Sequence, residues 1–103
     1  MAKAILTFAE SALRDLEGIR DWYAGEAVPD VGQSLVAEIV AHVQALQAHP
    51  DMGRVVPEFG QTYLRELIHP PFRIVYKREP EKVRIVRVWR SERLLKLAGE
   101  TSD

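Results

Sequence analysis

The 103-residue chain contains no cysteine. That absence excludes a disulfide framework, a thiolate zinc site and a cysteine nucleophile together. Long apolar runs are missing too: MAKAILTFAESALRDL meets charge after a few apolar residues, short of a secretory leader's apolar segment or a spanning helix. The expectation is a cytoplasmic protein without membrane contact. There is no glycine-rich phosphate loop, because Gly53 and Gly60 flank an apolar connector instead of opening a helix. His42, His49 and His69 lie in separate segments and no two stand at i,i+4, so neither a metal nor any other cofactor is expected. His49 and His69 each precede proline and read as turn residues. Repeats, low-complexity tracts and long linkers are also lacking, and the length suits one domain over residues 1–98 with a polar tail at 99–103.

What is present is a division of charge. From Tyr63 to Lys96 there are ten Arg and Lys against four Glu, whereas Met1 to Thr62 carries four basic and nine acidic residues. The overall charge of −1 conceals this. A basic half beside an acidic half points to a polyanionic or acidic partner, which is a statement about association and not about fold.

The pattern along the chain predicts an α+β domain. Lys3–Leu6 is short and apolar enough for an opening strand. Thr7 and Glu10 fit a capping box at the start of a first helix, with Ala9, Ala12, Leu13, Leu16, Ile19 and Tyr23 as its apolar stripe and Gly25 as its stop. Val28-Pro29-Asp30 starts a second helix, whose stripe of Leu35, Val36, Ile39, Val40, Val43 and Leu46 runs to His49-Pro50. The two form an antiparallel hairpin. A Gly/Pro connector from Pro50 to Gly60, with an extended piece at Arg54–Val56, leads into YLRELIHPPFRIVYKREPEKVRIVRVWRSER. That stretch reads as three antiparallel strands broken at His69-Pro70-Pro71 and at Glu79-Pro80-Glu81-Lys82. Phe72, Ile74 and Tyr76 alternate with Arg73, Val75 and Lys77, which predicts one face under the helices. Val83–Arg90 carries apolar residues at both parities, as a central strand does. Ser91–Leu97 has the apolar side of a last helical turn.

The arginines are the candidate binding residues. Arg73 sits between apolar neighbours on the face predicted to be open, where a guanidinium needs a partner or a ligand. Arg65, Arg90 and Arg93 are grouped with it in one concave patch for phosphates or carboxylates.

With YLRELIHPPFRIVYK followed by VRIVRVWRSERLL, the order of elements resembles the RelE/ParE family of bacterial toxins from Ile5 to Leu97. The resemblance implies a short N-terminal strand and a two-helix hairpin on a three- to four-stranded, mainly antiparallel sheet. It implies as partner a cognate antitoxin, a small protein with a DNA-binding N-terminus and an amphipathic C-terminal segment. Family members divide between gyrase inhibitors that arrest growth, associated with plasmid stabilisation, and ribosome-dependent messenger RNA endonucleases. Arg73 matches the nucleases' phosphate-binding arginine. Leu64 and Glu66, however, stand where that branch has lysines, and Leu97 stands at its acid/base position. A non-enzymatic, ParE-like inhibitor of DNA gyrase is therefore the expected function. A ribosome-dependent endoribonuclease using Arg73, Arg90 and Arg93, and a non-toxic antitoxin-binding domain, are the alternatives.

Overall fold

A computed structural model describes residues 3–91. Residues 92–103, which include Arg93, most of the predicted last helical turn and the polar tail, lie outside the described residues. The elements are β1 (Ile5–Phe8), α1 (Glu10–Gly25), α2 (Pro29–Gln44) with a 3-10 turn at Ala45–Gln47, β2 (Arg54–Val55), β3 (Leu64–His69), β4 (Phe72–Glu79) and β5 (Lys82–Arg90). They build a five-stranded sheet of order β1-β5-β4-β3-β2, in which β1 runs parallel to β5 and the other pairs are antiparallel. The helical hairpin covers one face.

The opening strand lies two residues later than Lys3–Leu6, and the capping box does not form. Thr7 is opposite Arg84 inside the β1–β5 ladder, so Ala9 becomes the N-cap and makes no side-chain cap bond. Pairing with β5 takes precedence over the local motif. Once β1 ends, α1 itself continues along the exposed edge of β5. Ser11 Oγ donates to the Val86 carbonyl at 2.6 Å, and the Asp15 carboxylate accepts from the Val88 amide at 2.8 Å. Side chains of a helix thus occupy backbone groups that an open edge would offer to another chain.

The hairpin turn follows from local chemistry. The Val28 amide donates to the Tyr23 carbonyl at 2.9 Å and the Ala27 amide to the Ala24 carbonyl at 3.0 Å, the pattern that closes a helix through a left-handed residue. Ala27 is that residue, at φ 64. Gly25 ends the helix, but the positive φ falls two positions later. Pro29 then occupies the first turn of α2, where its missing amide proton costs nothing, and Asp30 adds a favourable negative charge there. The helices approach so closely at Gly32 that a Cβ would sit 3.0 Å from Tyr23 Cβ.

Between helices and sheet lie Leu16, Ile39, Val43 and Leu46 from the helical layer and Leu67, Phe72, Ile74, Tyr76, Val83, Ile85 and Val88 from the strands. Full burial of each large aliphatic side chain contributes about 1.5–3 kcal/mol. The Phe72-Ile74-Tyr76 alternation therefore faces the helices as the pattern predicts, while Leu13 is 51% exposed and outside this core. β5 is central. Its mixed parity has a second cause, because Val75 pairs with Arg87 and Tyr76 with Ile85, leaving Val86 as a bulge. One extra residue transfers the core face from Val83 and Ile85 to Val88 and Arg90.

Candidate functional site

On the face away from the helices, Arg73 is 4% exposed and Glu66 1%. This corrects the expectation of an open-face arginine. Glu66 is opposite Val75 on β4 and Arg54 on β2, in the middle of its face. Its carboxylate accepts from Arg73 Nε through Oε1 and from Arg54 Nε through Oε2, each at 2.6 Å. Glu58 in the connector then receives Arg73 Nη1 and Nη2 at 2.7 and 2.8 Å. The chain between β2 and β3 thus brings a carboxylate to the arginine. Hydrogen bonding to Glu58 outweighs burial and raises the Arg73 pKa; the same bonds hold Glu58 below its ordinary 4.5. Arg73 is a structural ion-pair partner, with three nitrogens occupied.

Arg65 lies on the opposite face. It is opposite Tyr76, and its Nη1 donates to the Gly53 carbonyl at 2.9 Å while Asp51 stands 3.8 Å from its Nε, a buried atom with no hydrogen-bond partner among the described residues. The Tyr76 hydroxyl donates to the Pro50 carbonyl at 2.8 Å and accepts from the Gly53 amide at 3.0 Å. Burial raises its pKa, offset in part by the Gly53 bond. A Cβ at Gly53 would lie 2.6 Å from the Glu66 carbonyl oxygen, so the connector crosses the sheet here only because this position has none. Arg65 secures that crossing.

Arg90 shares the helix-side face with Arg65 but is opposite Phe72, at the other end of β4. Four residues of strand, about 13 Å, separate the two rows. The concave patch of Arg65, Arg73 and Arg90 is thus not assembled, and Arg93 lies outside the described residues. Arg90 instead stands over two rings, 5.7 Å from Trp22 and 5.6 Å from Phe72. These rings, with Arg14, Ile19, Arg87 and Trp89, line a groove of about 370 Å³ between α1 and the end of β5. Arg87 stacks 4.4 Å over Trp89 and is held by Asp15 at 2.8 and 3.1 Å. Sequence reasoning passed over this aromatic contribution. Trp22 falls beside Ile19 and Tyr23 in the helical repeat, yet it is 56% exposed, and an exposed tryptophan next to an apolar stripe was the available signal.

A model of the family described as "ParE toxin of type II toxin-antitoxin system, parDE" matches residues 6–95. The chain belongs to the ParE toxin family. Among solved structures it is similar to a chromosomal ParDE TA system from P. aeruginosa, at 26% identity and a TM-score of 0.73, covering 85% of this chain and 96% of that one. A search of curated proteins finds no match. A ParE toxin of a type II pair implies a cognate antitoxin as its partner. Among the described residues no helix is long and apolar enough to cross a membrane, and no group of three or more potential ligands could hold a metal ion.

Proposed function

We propose that this ParE toxin arrests growth by binding DNA gyrase and blocking replication, and that its antitoxin, a small protein with a DNA-binding N-terminus and an amphipathic C-terminal segment, neutralises it. The observation that carries this reading is the engagement of Arg73. Cleavage of RNA by its own 2′-hydroxyl needs a base, an acid and a cation free to stabilise the phosphorane. Here the arginine matching the nucleases' phosphate ligand already donates to Glu58 and Glu66, and a phosphate would have to displace both carboxylates. Tyr76 is buried with a raised pKa, which leaves it a poor proton carrier. A toxin that binds a protein needs only a shaped, charged surface. The Arg90 groove between α1 and the end of β5 supplies one, and exposed Lys77 and Arg84, paired across β4 and β5, place further positive charge on the other face.

The test is induction without antitoxin in a sensitive host, following DNA supercoiling, the DNA-damage response and messenger RNA ends in parallel. Filamentation with double-strand breaks and intact transcripts is the expected outcome. Codon-phased cleavage of ribosome-bound transcripts with continuing DNA synthesis would overturn the reading in favour of an endoribonuclease, and undisturbed growth would leave an antitoxin-binding domain without toxicity.

A further inference from the structure

Two of the histidines meet. His42 on α2 and His69 at the end of β3 place their Nδ1 atoms 2.9 Å apart, across the interface between the helical layer and the sheet. Their ring centroids are 5.1 Å apart. The contact is partly buried: the His69 side chain is 17% exposed, and Ile39, one turn before His42, and Val43, next to it in the chain, are fully buried. The pair lies apart from Arg73, Tyr76 and the Arg90 groove.

At this distance one Nδ1 must carry a proton and the other must present its lone pair. When the pair is neutral, one N–H···N bond joins α2 to β3. One added proton is tolerated, because it can reside on an outward Nε2 while the shared bond remains. On His69 that Nε2 lies 3.8 Å from Glu38 Oε1. A second proton is refused. Both Nδ1 atoms would then bear hydrogen, the shared bond would be lost, and two positive charges would face each other over 2.9 Å. Few other charges can compensate. Glu38 comes from α2 itself and is 62% exposed; on the sheet, Arg90 lies in the same row beyond Phe72 and adds positive charge. Among the described residues no other carboxylate reaches either ring.

We propose that the His42–His69 contact is a proton-operated latch between α2 and the sheet, closed while the pair holds at most one proton and opened by acid. Burial and the neighbouring His69 charge both depress the His42 pKa from its ordinary 6.5, in keeping with this geometry. A depressed value in the folded state contributes stability that is fully present above the unfolded value and is lost as pH falls from there through the folded value. Acid therefore loosens the joint. Opening would separate α2 from β3 at Ile39 and Val43, exposing part of the apolar layer between them.

The experiment follows the ring carbons of both histidines by NMR from neutral to mildly acid pH, with amide hydrogen exchange along α2 and β3. Two titration steps separated by about one pH unit or more are expected, since the sites are coupled. Relative to the intrinsic rate, which itself falls with pH, protection from exchange at Val40–Gln44 and Leu67–His69 should drop in acid more than protection in β5. In His42→Asn, whose side-chain amide can donate from the position of Nδ1 but does not titrate, His69 should show a single step and the excess loss of protection should vanish. Independent titration of the two rings in the wild type, or equal acid sensitivity in His42→Asn, would overturn the latch. Should that variant not fold, the wild-type titration decides alone.

Discussion

Arg73 shows how a cation's environment reverses its meaning. On an open strand face its removal would cost little, whereas here Arg73→Ala leaves the fully buried Glu66 with only the exposed Arg54 and strips Glu58 of both its bonds. Breaking a buried pair from one side costs about 3–5 kcal/mol, since the desolvated charge that remains is uncompensated. Urea denaturation of Arg73→Ala should show a loss of that order. Arg90→Ala should lose about 1 kcal/mol or less, because cation–π contacts at partly exposed sites are worth roughly 0.5–1 kcal/mol. Similar losses for the two variants would mean that the Glu58–Glu66 cage does not hold Arg73 in solution. The contrast also separates roles: Arg90→Ala tests the groove without dismantling the sheet, whereas loss of toxicity in Arg73→Ala would report unfolding first.

Among the elements, the α1–α2 hairpin is joined at a strained residue. Ala27 occupies the left-handed region at φ 64, where an L-residue with a Cβ is unfavourable by roughly 1–2 kcal/mol. Glycine removes that strain but adds freedom to the unfolded chain, offsetting roughly 0.5–1 kcal/mol. Ala27→Gly should therefore stabilise the protein by about 0.5–1 kcal/mol, read as a rise in denaturation midpoint with unchanged slope. A lower midpoint would show that the turn is not held in this conformation. The sheet's edges illustrate a different economy. β2 is two residues long and β1 four, and Ser11 and Asp15 take over where β1 stops. Short edges and helix-borne caps limit the backbone available for chance pairing.

For the whole molecule, the division of charge acquires a geometry. Among the described residues, the acidic side chains of the first half lie mainly on α1 and α2 and the basic ones of the second half mainly on β4 and β5, where Arg73 and Arg87 are paired with carboxylates and Lys77 and Arg84 are exposed. An amphipathic antitoxin segment that folds on this domain should place acidic residues by the basic strands and apolar ones against exposed rings such as Trp22. Calorimetric titration with the neighbouring gene's product should give a large negative heat-capacity change, together with affinity that falls as salt is added. Absence of binding at micromolar concentration would sink this expectation.

The sequence alone determined the order of elements, the helical hairpin and the Phe72-Ile74-Tyr76 core face. These follow from hydrophobic period and from turn residues, signals that act over a few positions. The tertiary structure decided what those signals do not carry. The Thr7 capping motif yielded to β1–β5 pairing because the ladder satisfies more backbone groups than one cap. The arginines separated onto different faces and rows because a face is assigned by register, and the Val86 bulge shifts that register by one. Glu58 reached Arg73, and His42 reached His69, across 15 and 27 residues of chain. Such meetings depend on the path of a connector and the docking of a helix, which no local pattern encodes. The open arginine thus became a buried ion pair, and two histidines read as separate became one hydrogen-bonded site.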